Sequence, residues 1–389
     1  MNRGRAGILA ALFLAALALR PQIVGVGPLI PEIQDDFDTS HAVAGLLGTI
    51  PVLCMGLFAP VGAYLAGRIG TRRAMTVALG LIGAFGVLRA LVPSAWLVVL
   101  LTWPVGVGMG LGNAIAPVAV KERAPDRPAT GTGVYTTGIQ IGSTLAAAFA
   151  VPLAAALGGW RGALMALSVA ACVLLVCWRA LTRGDDAHVP TAFPHPPIRS
   201  RTAWLLVSVF ALMASAYYGL NAWLPDAYVE HGWSAESAGL LLAMMNLTAI
   251  PASFLVAWAS DRRGGRRPWL VGLSFCFVAG AAGLAAAPGL AYWWALLAGI
   301  SQGGMFALVM TVPLDFEHDL ARVGGLVGMM LGFGYTIGAV SPFALGAVRD
   351  ATGSFDAVLW AAAALLGLLV CAVLSLPRSR FTRPESANG

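Results

Sequence analysis

Charge is what this sequence has least of. Only 11% of its 389 residues are charged, where a water-soluble domain carries about a quarter. A chain so poor in charge cannot keep a folded surface dispersed in water, and 58% of it is hydrophobic. Metal ligands are scarce as well. The five histidines (His41, His188, His195, His231, His318) share no spacing, and the five cysteines (Cys54, Cys172, Cys177, Cys276, Cys371) lie in apolar runs without a CxxC pair. Neither a metal site nor a disulfide framework is expected. No GxxxxGK[ST] loop is present, which disfavours ATP-driven work by this chain. The stretch GVGMGLG at 106–112 superficially resembles a GxGxxG loop but sits inside an apolar run with no strand before it. Close helix packing explains it better than dinucleotide binding, and no cofactor is expected. The net charge of +6 comes from Arg clusters between apolar runs, so nucleic acid is not an expected partner.

What the sequence has instead is long apolar runs, at about 7–30, 41–66, 74–92, 95–119, 130–154, 160–181, 203–225, 236–258, 268–287, 290–314, 324–348 and 356–376. Each approaches or exceeds the ~20 residues a helix needs to cross a bilayer. Backbone groups in lipid must be satisfied within the segment, so runs of this length predict helices. The fold class expected is an all-α integral membrane protein of twelve spans. The first run follows Arg3 and Arg5 like a secretion signal, but it is too long for one and contains Arg20. With both termini on the cytoplasmic side, 20 of the 24 Lys and Arg fall in cytoplasmic segments, while Glu32, Asp35, Asp36, Asp38, Asp226, Glu230 and Glu236 fall opposite. That asymmetry predicts both termini inside. A Pro-rich stretch at 183–201 reads as a cytoplasmic linker between a first half, 1–182, and a second, 202–389.

The halves repeat. Adding 194 to residue numbers carries Pro31 onto Pro225, Ser40 onto Ser234, Ala44-Gly45-Leu46-Leu47 onto Ala238-Gly239-Leu240-Leu241, Arg68 onto Arg262, Gly70 onto Gly264 and Arg72-Arg73 onto Arg266-Arg267. A register of 196 carries Gly108-Met109 onto Gly304-Met305, Pro117 onto Pro313, Gly138 onto Gly334 and Gly142 onto Gly338. Six helices separate the copies, so both have the same orientation. GAYLAGRIGTRR at 62–73 resembles the signature of the major facilitator superfamily, G-x-L-x-D-R-x-G-R-R, with Gly67 where its acid is expected. VAWASDRRGGRR at 256–267 supplies that acid as Asp261. Arg68, Arg72, Asp261, Arg262 and Arg266 are therefore candidate gating residues, with the first-half latch in doubt for want of an acid.

Several stretches resemble a narrower group in that superfamily, the cyanate and 2-nitroimidazole permeases: LRPQIVGVGPLIPEI (19–33), LRALVP (88–93), PVAVKER (117–123), NAWLPDAYVEHGWSAESAGLLLAMMNL (221–247) and GGMFALVMTVPLD (303–315). The resemblance implies a secondary active transporter of a bacterial-type inner membrane, coupled to protons and acting as a monomer. Its two parallel six-helix halves would rock about a central site in alternating access. The implied solute is small and anionic or electron-rich, cyanate-like or nitroaromatic. Extrusion of drugs or toxic compounds is the alternative. A multi-pass enzyme or receptor is more remote, because neither a catalytic constellation nor a soluble signalling domain is visible.

Arg20 is the sharpest single feature. It stands midway along an apolar run, where a charge costs about 2.5–3.5 kcal/mol on insertion scales. It either faces a central cavity and an electron-rich solute, or donates to backbone carbonyls across the bundle. Arg89 is a second cation in a span, near enough to its end to snorkel. No carboxylate lies deep in any run; Glu32, Asp226, Asp315 and Glu317 are all near helix ends. Neutral polar residues complete the candidate site: Asn113, Tyr135, Gln140, Tyr217, Tyr218, Asn221, Asn246, Gln302 and Tyr335. The superfamily resemblance favours Asn113, Asn221 and Gln302, since spans 4, 7 and 10 line its cavity. For each, interhelical hydrogen bonding is the competing role.

Overall fold

A computed structural model describes residues 3–39, 41–183, 195–263, 265–317 and 319–377. Ser40, His188, Gly264, His318, Arg378, Arg380, Arg383 and most of the linker lie outside these. The described chain forms helices joined by short connections, with no strand among the described residues. Eleven helical stretches are long and apolar enough to cross a membrane, and a bent pair makes a twelfth.

The first span is broken into α1 (Arg3–Leu17), α2 (Pro21–Val24) and α3 (Ile30–Phe37), with a 3-10 turn at Gly27–Leu29. The cause of the first break is Pro21, which has no N–H to offer the Leu17 carbonyl in a continuous helix. Gly142 of α8 (Pro128–Leu157) lies against that carbonyl so closely that a Cβ there would collide with it, and Gly138 approaches the Phe13 carbonyl in the same way. The Gly142 Cα–H group thus covers the oxygen that Pro21 leaves without a helical partner, and Gly138 lets α8 pack closely on α1. The second span repeats the device. α4 (His41–Leu57) and α5 (Ala59–Ile69) meet at 50°, where Pro60 cannot bond the Gly56 carbonyl. Gly332 of α14 (Leu320–Thr352) packs beside that oxygen and against Pro60.

The remaining spans are single helices: α6 (Thr71–Leu91), α7 (Ala95–Arg123), α8, α9 (Trp160–Leu181), α10 (Arg201–Glu230), α11 (Ala235–Arg263), α12 (Arg267–Ala286), α13 (Ala291–Phe316), α14 and α15 (Phe355–Leu374). Within the first six spans α6 packs on α7 and α9, and α1 on α8. Within the last six, α10 packs on α14 and α15, and α13 on α11 and α12. Across the two groups, α8 packs on α11 and α13, and α14 on α4, α5 and α7. Residues with a carbon tail but no charge, such as Trp96, Trp293, Phe343 and Trp360, stand exposed on the perimeter, as lipid contact requires.

Those cross-contacts concentrate where α5, α7 and α9 end, the end of the bundle that carries the linker. There Gly133 lies against Ala257 and the Ser253 carbonyl, and the Thr137 and Ser253 hydroxyls are 3.0 Å apart. Lys121 Nζ donates to the Leu314 carbonyl at 2.6 Å. Among the described residues, α1–α3 do not pack extensively on α10. The bundle is closed at the linker end and loosely joined at the other.

Candidate functional site

Because Pro21 stops α1, Arg20 emerges at the break rather than on a helix flank. Its side chain is 7% exposed and reaches across to the last six spans. Nη2 donates to the Tyr335 hydroxyl at 3.0 Å, and the guanidinium carbon lies 6.0 Å from the Phe306 ring centre and 5.9 Å from that of Tyr335. Ring faces at this range offset part of the desolvation of a buried cation, by about 0.5–2 kcal/mol each. Its Nε has no hydrogen-bond partner among the described residues.

Around Arg20 is a cavity lined by Gln140, Phe210, Met213, Ala214, Tyr217, Tyr218, Gln302, Phe306 and Tyr335. The space between these atoms is about 330 Å³, of which about 20 Å³ admits the centre of a water molecule. That is room for about one water, so the side chains are collapsed onto Arg20 in this conformation. Phe210 and Tyr335 meet edge to face at 4.9 Å, as do Tyr217 and Tyr218 at 5.3 Å. Gly334 and Gly338 of α14 give Phe210 and Tyr218 the room to lie there. Larger cavities of about 420 and 390 Å³ exist on the perimeter, but exposed Leu57 and Phe333 line one and exposed Leu145 and Phe149 the other. They are lipid-facing grooves with no charged group among the described residues.

Of the eleven residues singled out in the sequence, six meet at this cavity: Arg20, Gln140, Tyr217, Tyr218, Gln302 and Tyr335. Asn221 and Asn246 stand beside it and buttress Tyr217: Asn246 Nδ2 donates to Asn221 Oδ1 at 2.9 Å, the Tyr217 hydroxyl to Asn246 Oδ1 at 3.3 Å, and Asn221 Nδ2 to the Tyr217 carbonyl at 2.8 Å. Asn113 and Tyr135 are fully buried and outside the lining; Asn113 Nδ2 bonds the Met109 carbonyl one turn back at 2.8 Å. Arg89 neither snorkels nor reaches the cavity. It is wholly buried, with Nη2 2.9 Å from the Gln22 carbonyl.

Four lining residues went unremarked in the sequence: Phe210, Met213, Ala214 and Phe306. Helical spacing points to them once an anchor is chosen. Phe210, Met213 and Ala214 precede Tyr217 by seven, four and three residues, and Phe306 follows Gln302 by four.

The gating candidates divide. Arg266 is 2% exposed and lies between two carboxylates, with Nη1 2.8 Å from Asp261 Oδ1 and Nε 2.9 Å from Asp315 Oδ2. Asp261 Oδ2 also accepts from the Thr130 amide and hydroxyl, both at 2.6 Å, and so caps the amino end of α8 across the two groups of spans. Arg262 stacks over Trp258 at 3.9 Å on its own helix. Arg72 Nε donates to Thr182 within the first six spans, and Arg68 is exposed. Among these candidates the ion pairs gather around Asp261 and Arg266, where the second repeat has its acid.

A twelve-span bundle, closed at one end around a buried polar cavity between its first and last six helices, defines a polytopic membrane transporter. The chain matches the Major Facilitator Superfamily over residues 8–339 and belongs to it. It is 31% identical to the cyanate transport protein CynX of Escherichia coli over 95% of this chain and 97% of that one. It is 29% identical to the 2-nitroimidazole transporter of the same organism, over 98% of each. A gentisate transporter of Corynebacterium glutamicum is 24% identical over 90% of this chain and 83% of its own. Among solved structures, the transporter FucP in its outward conformation superposes with a TM-score of 0.77 at 16% identity, covering 97% of this chain and 99% of that one. The parallel six-helix repeat inferred from the 194-residue offset is the fold of this superfamily.

Proposed function

We propose that this transporter moves a small, planar anion or electron-rich solute, with Arg20 as its central contact. The observation that carries this reading is the unbalanced charge of the cavity: Arg20 is its only charged lining residue among the described residues, held by a neutral hydroxyl and two ring faces. A cation with no carboxylate partner in low dielectric attracts an anion strongly. Aromatic walls suit a flat solute, and the relatives named for cyanate, 2-nitroimidazole and gentisate fit that chemistry.

In this reading the two six-helix halves, 1–182 and 202–389, rock about the cavity. The linker end is cytoplasmic in an inner membrane, both termini are inside, and the described conformation is closed toward the cytoplasm. No lining side chain has an ordinary pKa near neutrality. In this reading a coupling proton travels on the solute itself or on Asp226 or Glu32 outside the cavity lining. The test is uptake into proteoliposomes of labelled cyanate, 2-nitroimidazole and gentisate, beside a neutral sugar and a cationic dye, with and without a pH gradient. Uptake confined to the anions and the nitroaromatic is expected. Transport of the dye in preference to them would favour the efflux reading and overturn this one.

A further inference from the structure

Arg89 is the second cation buried within the first six spans, and it is tied to the segment that carries Arg20. From α6 its Nη2 donates to the main-chain carbonyl of Gln22 at 2.9 Å and to Gln22 Oε1 at 2.7 Å, and Nη1 donates to Thr102 Oγ1 of α7 at 3.3 Å. Gln22 Nε2 in turn donates to Ser168 Oγ of α9 at 3.1 Å, and Ser168 to the Leu164 carbonyl at 2.6 Å. Gln22 is completely buried, as Arg89 is. Two helices, α6 and α9, thus bond one residue of α2, and α7 braces the Arg89 fork through Thr102.

The Gln22 carbonyl needs that partner. In a continuing helix it would accept from the Val26 amide, but that amide turns to the Ile23 carbonyl at 3.3 Å. A bare carbonyl at this depth costs several kcal/mol in lipid. The planar guanidinium fork meets the carbonyl, the side-chain amide oxygen and a hydroxyl at once, which the single ammonium of a lysine does not. Gly86 makes room for the junction: a Cβ there would stand 2.6 Å from Ser168 Oγ and 3.3 Å from Gln22 Oε1.

We infer that Arg89 is a positioning residue for the solute site, holding α2 in place and, through Pro21, fixing Arg20 in the cavity. The inference rests on the reading that Arg20 contacts the solute. Arg20 sits between the end of α1 and a four-residue helix that begins with Pro21, and such a short helix has little stability of its own. Without the Arg89 fork the break would wander and Arg20 would lose its aim at the opposing half.

Two measurements test this on the full-length protein. Hydrogen exchange of the 18–26 segment in Arg89→Lys, which keeps the charge and removes the fork, is expected to quicken about tenfold or more, the loss of one charge-assisted bond, with α10 to α15 unchanged. Unchanged exchange in 18–26 overturns the inference. The second measurement is a double-mutant cycle on apparent affinity for cyanate and 2-nitroimidazole in proteoliposomes. Arg89→Lys is expected to weaken affinity about tenfold when Arg20 is present, and by less than about twofold in an Arg20→Ala background. An equal loss in both backgrounds means that Arg89 acts independently of Arg20, which also overturns the inference. Gln22→Leu, which leaves Arg89 in place, is expected to act in the same direction and serves if Arg89→Lys folds poorly. If Arg20→Ala alone leaves affinity unchanged, the reading of Arg20 fails, while hydrogen exchange still decides whether Arg89 holds α2.

Discussion

Asp261 caps a helix that belongs to the other half of the repeat: one of its carboxylate oxygens accepts both the amide and the hydroxyl of Thr130 at 2.6 Å, near the start of α8. Its other oxygen is 2.8 Å from Arg266 Nη1, which keeps the carboxylate aligned. This joint ties the two groups of spans together at the linker end, as Lys121 and the Leu314 carbonyl do.

Asp261→Asn is therefore expected to weaken that closure without unfolding the chain, because Arg266 retains Asp315. Losing a charge-assisted bond of about 1.5–3 kcal/mol shifts the balance of conformations about tenfold or more. Ala257, buried against Gly133, reports on it. Maleimide labelling of an Ala257→Cys protein from the linker side should quicken by that factor in Asp261→Asn. Equal labelling rates would show that Asp261 does not hold the gate.

Arg266→Ala has a different consequence. It leaves the Asp261 and Asp315 carboxylates, each 8% exposed, close together without their shared cation. Removing one partner of a buried pair costs about 3–5 kcal/mol, so the protein should lose most of its thermal stability in detergent. Arg262→Ala, which removes only a stack on Trp258 of the same helix, should cost under about 1 kcal/mol.

Tyr335→Phe removes the hydroxyl that accepts from Arg20 and keeps the ring. The solute-free protein should be less stable by about 1–3 kcal/mol, the cost of leaving a buried donor unmet. Solute should then stabilise Tyr335→Phe more than it stabilises the parent, because it no longer displaces the hydroxyl. Thermal unfolding with and without cyanate measures both effects.

Gly142→Ala places a methyl group on the Leu17 carbonyl at the break in the first span. It should lower the melting temperature and the uptake rate together, since the break cannot keep its place. Gly80→Ala in α6 is the contrast, with nothing within 4 Å of an added Cβ. It should be neutral or stabilising by about 0.5–1 kcal/mol.

Much of this architecture was legible in the sequence. The apolar runs gave the spans, and the offset that carries Arg72-Arg73 onto Arg266-Arg267 gave the repeat. Asp261 stood out because its counterpart is Gly67, and the structure pairs it with Arg266 and Thr130. Arg20 stood out because a charge in an apolar run has few reasons to exist. The direction of side chains was harder to read. In a soluble helix the polar face points to water, but a membrane helix is apolar toward both lipid and core, so periodicity does not say which way Arg89 or Asn113 turns. Arg89 lies near the end of its span in sequence, yet it points inward because Gln22, two residues beyond Arg20, presents a carbonyl that the end of α2 has freed. Phe210 and Phe306 were invisible for a related reason: one aromatic in an apolar run looks like any other until Arg20 marks the cavity.

The most direct measurement of the central claim is uptake of labelled cyanate and 2-nitroimidazole by Arg20→Ala and Arg20→Lys proteins, reconstituted at equal amounts and of parental melting temperature. The account predicts that Arg20→Ala loses at least about a hundredfold in uptake efficiency, about 2.7 kcal/mol, and that Arg20→Lys recovers part of it for the anion. A well-folded Arg20→Ala protein that transports both solutes with parental affinity and rate would contradict it.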